Sequence, residues 1–272
     1  MTWWCAASTL PWTWSWTAYP GVWLFILALI GWYWRFGRTP GDRRAGIRFG
    51  IGVFLLWIAL DWPLGALGGY LASAHTGQFL LIALSVPPFL LLGIRPRLEN
   101  PARPNPVLGL LARPLVAFVG YNVIVIGTHM PVIVDSLMAS QLGSFLLDLL
   151  WLAGGLMLWW PALAPAPYQR LTAPLQMGYL FLQTVPASLP AAFLVFAAHP
   201  LYELYELAPR VSAALTPYHD HQVAGLLMKM VGDPIVWVGI GIIFFRWAGA
   251  ERRADLTGSA AQAGGGGRPG LN

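Results

Sequence analysis

SAHTGQFLLIALSVPPFLLLG, Ser73 to Gly93, contains no Asp, Glu, Lys or Arg, and from Phe79 onward only Ser85 interrupts its apolar character. As a helix rising about 1.5 Å per residue, His75 to Gly93 comes close to the roughly 30 Å of hydrocarbon in a bilayer. Six further segments share this character: Tyr19 to Arg35, Gly46 to Gly65, Pro114 to Met130, Leu142 to Trp160, Leu175 to Ala198, and Gln222 to Trp247. The expected fold is all-α, a polytopic membrane protein with seven transmembrane helices. A Gly-rich turn, Gly65 to Gly69, joins the second segment to the third. Pro186 and Pro190 fall within the sixth and Pro234 within the seventh, where a membrane helix tolerates them with a kink.

Composition agrees. The 272 residues are 57% hydrophobic and 10% charged, with mean hydropathy +0.61. That is more apolar surface than a soluble domain of this length buries, so membrane lipid is an expected partner. The net charge of +5 comes from arginines in short loops, without a basic face interleaved with stacking aromatics, so nucleic acid is not an expected partner. The single cysteine, Cys5, excludes an internal disulfide framework.

Arginine placement orients the segments. Arg35, Arg38, Arg43, Arg44 and Arg48 follow the first, and Arg95, Arg97, Arg103 and Arg113 follow the third. Arg170 follows the fifth, and Arg246, Arg252, Arg253 and Arg268 lie at the carboxyl end. Of the 16 basic residues only Arg210 and Lys229 lie elsewhere. Basic residues collect on the cytoplasmic side, which puts the N-terminus outside and the C-terminus in the cytoplasm. Residues 1–18 then form a Trp-rich outer interfacial segment anchored by Trp12, Trp14 and Trp16, with no basic stretch of the kind that opens a cleaved signal peptide. Residues 19–250 form the membrane domain, and residues 251–272 a flexible cytoplasmic tail, most evidently from Gly258.

On this topology His75, His129, His199, His219 and His221 all fall on the outer side. With Met130 and Met228 nearby they offer copper ligands: imidazole for either oxidation state, thioether for the reduced ion. Zinc, no metal, or simple gathering of polar residues at helix ends fits the same positions. Haem fits less well, because no histidine lies deep within a segment. Asp220, between His219 and His221, is expected to cap the seventh helix. Lys229 and Asp233 are four apart and are expected to pair. Asp148, at similar depth, is expected to join them in an intramembrane charge network or to ligate metal below the histidines. Asp61, beside Trp62 and Pro63, reads as interfacial. These charges and the proline-broken segments also fit a small transporter or proton-conducting protein. No hydrolase or nucleotide motif is present, so the protein is not expected to be an enzyme.

The chain resembles the CtaG family of cytochrome c oxidase assembly factors from about Trp12 to Trp247. The resemblance rests on SAHTGQFLLIALSVPPFLLLG, THMP at Thr128 to Pro131 with VIVDSLMAS after it, GGLMLWWPALAP at Gly154 to Pro165, and HDHQVAGLLMKMVG at His219 to Gly232. It implies a role in maturing the oxidase in a bacterial cytoplasmic (inner) membrane, through copper handling for the catalytic subunit, with oxidase subunits or other respiratory-complex proteins as partners. The metal ligands it leaves are His75, His129 and Asp148, joined by His219 or His221. In the family the third span reads H-x-x-Q-H; here His75 and Gln78 match, and the second histidine position is Phe79. A histidine of the fifth span corresponds to Asp148, and the tryptophan before His129 to Thr128. Asp220, Gln222, Ala224 and Gly225 keep a further family string. The loss at Phe79 supports an alternative, a metal-free accessory subunit or scaffold of a respiratory membrane complex.

Overall fold

The computed structural model describes residues 2–99 and 101–265, with side chains through residue 257. All regular structure among them is helical. In chain order the helices are α1 (Pro20–Trp32), α2 (Arg43–Leu60), α3 (Leu64–Leu67), α4 (Ala72–Phe79), α5 (Val86–Leu98), α6 (Pro106–Leu111) and α7 (Pro114–Thr128). There follow α8 (Pro131–Met138), α9 (Gln141–Leu163), α10 (Ala173–Thr184), α11 (Ser188–Phe196), α12 (Glu203–Leu207), α13 (Pro217–Leu227) and α14 (Asp233–Gly265). Three π-helical turns, Tyr33–Gly37, Leu80–Ser85 and Met228–Gly232, extend α1, join α4 to α5 and join α13 to α14.

Each of the seven expected segments coincides with a helix or a run of helices. Among the described residues four are long and apolar enough to cross a membrane: Ala72–Leu98, Gln141–Leu163, Ala173–Phe196 and Pro217–Thr257. The expected fourth segment, Pro114 to Met130, contains α7 alone, and α7 passes the same test only together with α8, the pair Pro114–Thr128 and Pro131–Met138 meeting at 72°. The break between them falls at His129 and Met130, immediately before Pro131, which can start a helix but cannot continue one. The first segment is diluted by Trp32, Tyr33, Trp34 and Arg35, and α2 carries Arg43, Arg44 and Arg48. The described part of α14 continues without interruption to Gly265; the rest of the expected tail, residues 266–272, lies outside the described residues.

Helix starts follow local chemistry. Asp42 accepts from Ala45 N at 2.9 Å to cap α2, Asn105 caps α6, and Ser140 accepts from Gly143 N at 3.0 Å to cap α9. Proline occupies the first turn of α1, α7, α10 and α13. Pro186 separates α10 from α11, whereas Pro190 lies within α11 and Pro234 in the first turn of α14.

The third segment shows how a membrane helix accommodates two prolines. Pro87 and Pro88 have no N–H for the carbonyls of Ala83 and Leu84, and the π-helical turn Leu80–Ser85 lies just before them. Trp159 of α9 donates its indole N–H to Leu84 O at 3.0 Å. Gly155 of α9 packs against Ala83 O so closely that a Cβ would collide with that oxygen and lie 2.7 Å from Pro87 Cγ. The carbonyls freed by proline thus set the α9 interface.

Gly155→Ala forces backbone apart at this crossing and is expected to lower stability by about 1–3 kcal/mol. Gly178→Ala, where a Cβ meets nothing within 4 Å, should leave stability unchanged or raise it. Denaturant unfolding in detergent compares the two.

Candidate functional site

At one end of the bundle α4 starts, α7 stops and α13 starts. α4 has no capping side chain of its own. Its first N–H groups are met from α13: Asp220 accepts from Ala72 N at 2.6 Å and Ser73 N at 3.2 Å, and also from the Ser73 hydroxyl. The expected cap of Asp220 on its own helix is therefore replaced by a cap on α4, because Thr216 already accepts from His219 N and caps α13. Asp135 of α8 likewise accepts from Glu203 N and Leu204 N at the start of α12.

This arrangement gathers aromatic rings around Trp151 of α9. His75 lies 4.7 Å from Trp151 and 5.9 Å from Tyr205, centroid to centroid. His129 lies 6.2 Å from Trp151 and stacks on it, while Phe79 stands edge-on to His129 at 4.8 Å. Trp151 is fixed by its N–H bond to Thr128 Oγ1 at 3.0 Å. Tyr202 donates to His129 O and Tyr205 to Gly68 O. Burial, chiefly by desolvation, raises both phenols above their ordinary pKa and keeps them as neutral donors.

The histidines of this end differ in what remains for a ligand. His75 is 7% exposed, and neither ring nitrogen makes a hydrogen bond of normal geometry; the Gln78 side chain, one turn along α4, is the polar group beside the ring. His129 Nδ1 is 2.7 Å from Val125 O; the carbonyl can only accept, so Nδ1 carries the proton and Nε2 keeps its lone pair. His221 is saturated: Nδ1 donates to Pro217 O at 2.9 Å and Nε2 accepts from Tyr202 N at 3.2 Å. His219 is exposed and bonded to Thr216, and His199 is exposed in the loop after α11. Among the described residues no three or more His, Cys, Asp or Glu side chains are grouped so as to hold a metal ion.

Lys229 pairs with Asp233 at 2.6 Å, as their spacing predicts, and also bonds Ser188 Oγ of α11. Asp148 does not join that pair. Its carboxylate accepts from Trp4 Nε1 at 2.8 Å. Trp4, 2% exposed, is held by a chain segment that threads into the bundle, with Trp3 N donating to Gln141 Oε1, Gly21 N to Trp3 O and Ala7 N to Met138 O. Asp61, read from sequence as interfacial, is 3% exposed and accepts the indole N–H groups of Trp23 and Trp57.

Residues 23–250 match the family model described as cytochrome c oxidase caa3 assembly factor (Caa3_CtaG). The chain belongs to this family. No curated protein and no solved structure matches it. The CtaG match covers every ring around Trp151, whereas Trp4 lies before it, so Asp148 is satisfied from outside the matched region. Sequence reasoning missed Trp151, Tyr202 and Tyr205 as site residues; a tyrosine pair three apart interleaved with Glu203 and Glu206 was the available signal.

Trp4→Phe leaves the Asp148 carboxylate buried without its donor, with an expected loss of about 1–3 kcal/mol. Combined with Asp148→Leu the loss should be clearly less than additive. A double-mutant cycle measured by unfolding in detergent checks this, and additive losses would deny the pairing.

Proposed function

We propose that this assembly factor receives copper for cytochrome c oxidase at His75 and His129. We further propose that the chain crosses a bacterial cytoplasmic membrane seven times, with this histidine end outside and the arginine-rich loops in the cytoplasm. The observation that carries the copper reading is His75, buried with neither ring nitrogen in a hydrogen bond of normal geometry. Buried polar groups in native proteins are ordinarily satisfied, and one left open at a site is a place for a ligand. The Nε2 lone pair of His129 is the second donor on the same aromatic wall, and its hydrogen bond to Val125 O fixes the ring and its tautomer.

Two imidazoles without a closed set of three or four ligands suit a metal in transit more than a stored one. Copper here is cargo, and the chain's own part is to hold two neutral imidazoles in a water-poor aromatic setting. Met130, exposed beside His129, is a thioether available to the reduced ion. The seven helical segments and the segregation of arginine support the topology. Assembly, and not catalysis, is the role that fits.

A metal-free scaffold is favoured by a different observation. Phe79 presents its ring edge to His129 where the family resemblance implies a second imidazole. Stable, stoichiometric purification with mature oxidase would support the scaffold over the copper reading.

Purified wild-type protein, loaded with cuprous ion and freed of excess, is expected to retain copper by elemental analysis. His75→Phe with His129→Phe keeps aromatic packing and removes the nitrogens, and should retain little. Equal copper in both proteins overturns the ligand assignment.

A further inference from the structure

At the end of the bundle opposite the histidines, α5, α9, α10 and α14 enclose a groove of 490 Å³. This volume lies within the roughly 300–1,000 Å³ of small-molecule sites. Leu92, Trp159, Ile235 and Ile243 contribute apolar wall. The floor is rigid, because Trp159 is tied to Leu84 O and packs where a side chain at Gly239 would stand.

Two guanidinium groups from different helices, Arg95 of α5 and Arg246 of α14, line the same groove, together with Trp247. Glu99 lies 3.3 Å from Arg95 Nε, and Trp247 donates to Glu251 at 3.2 Å. Of these two carboxylates only Glu99 pairs with a guanidinium, and Glu251 is bonded to the Trp247 indole, so the Arg246 charge stands without an ion-pair partner among the described residues beside an apolar channel.

We propose that this groove holds an anionic phospholipid, its acyl chain between α5 and α14 and its phosphate between Arg95 and Arg246. Guanidinium is the side chain suited to bidentate phosphate recognition. Basic pockets between membrane helices on the cytoplasmic side are sites for anionic headgroups, and interfacial Trp residues sit at headgroup depth. The site is separate from the copper reading, since none of its residues touches His75 or His129.

Delipidated full-length protein is titrated with phosphatidylglycerol or phosphatidylcholine in detergent, and bound lipid is counted by native mass spectrometry. Phosphatidylglycerol is expected to bind about tenfold more tightly than phosphatidylcholine. R95Q/R246Q should erase that preference, and R252Q/R253Q, outside the groove, should keep it. Equal affinity of the wild type for the two lipids overturns the proposal even if the groove variant fails to fold. So does an unchanged preference in R95Q/R246Q, saturation by glycerol phosphate alone with no gain from acyl chains, or a stable dimer that buries the groove.

Discussion

The carboxylate of Asp220, 1% exposed, is the interaction on which the histidine end depends. A helix start presents unsatisfied N–H groups and a positive dipole end, and α4 has no capping side chain of its own. Ala72 is 2% exposed, so its N–H cannot fall back on water. Asp220 meets the N–H groups of this start from α13, and the same contacts stabilise its own buried charge. Each helix therefore needs the other. The tie sets α13 against α4, and His221 packs on Tyr202 and on Tyr205 of α12, whose ring lies 5.9 Å from His75. Gly225, one turn further along α13, lets that helix lie against the Ala191 carbonyl of α11.

A second constraint comes from proline. Where Pro87 and Pro88 remove backbone donors, the freed carbonyls meet a glycine and an indole of α9, so helix breaking becomes helix packing. Where Pro131 ends continuity, the chain bends by 72° and His129 is left at the corner. The corner histidine turns its ring to Val125 O and toward Trp151. Position in the fold thus separates the imidazoles: His75 without a hydrogen bond of normal geometry, His129 half open, His221 closed, His219 and His199 exposed.

The helical segments were legible because apolar length is a local property, and the Lys229 with Asp233 pair because four residues make one helical turn. The CtaG resemblance was legible from short strings in fixed order. The partners of Asp148, Asp61 and Asp220 were not. Trp4 lies 144 positions from Asp148, and Ala72 lies 148 from Asp220, so no periodicity within a segment points to either. Asp148 read as a free intramembrane charge because nothing local satisfied it, and a charge network with Lys229 followed. The amino-terminal tryptophans read as an interfacial anchor. Trp14 and Trp16 are indeed exposed, but Trp4 is part of the bundle. His75 and His129 were recognised as candidates, while Trp151 and Tyr205, which pack against them, come from α9 and the short helix α12.

An aromatic enclosure around a buried imidazole whose nitrogens make no hydrogen bond of normal geometry, in a member of an oxidase assembly family, ties structure to biology through the oxidase itself. The most direct measurement is oxidase activity and copper per oxidase polypeptide in membranes of a strain lacking this protein. The expected result is that the oxidase polypeptides are made but carry little copper and little activity, and that reintroducing the wild-type gene restores both. Normal copper content and normal activity in that strain would contradict the proposed role.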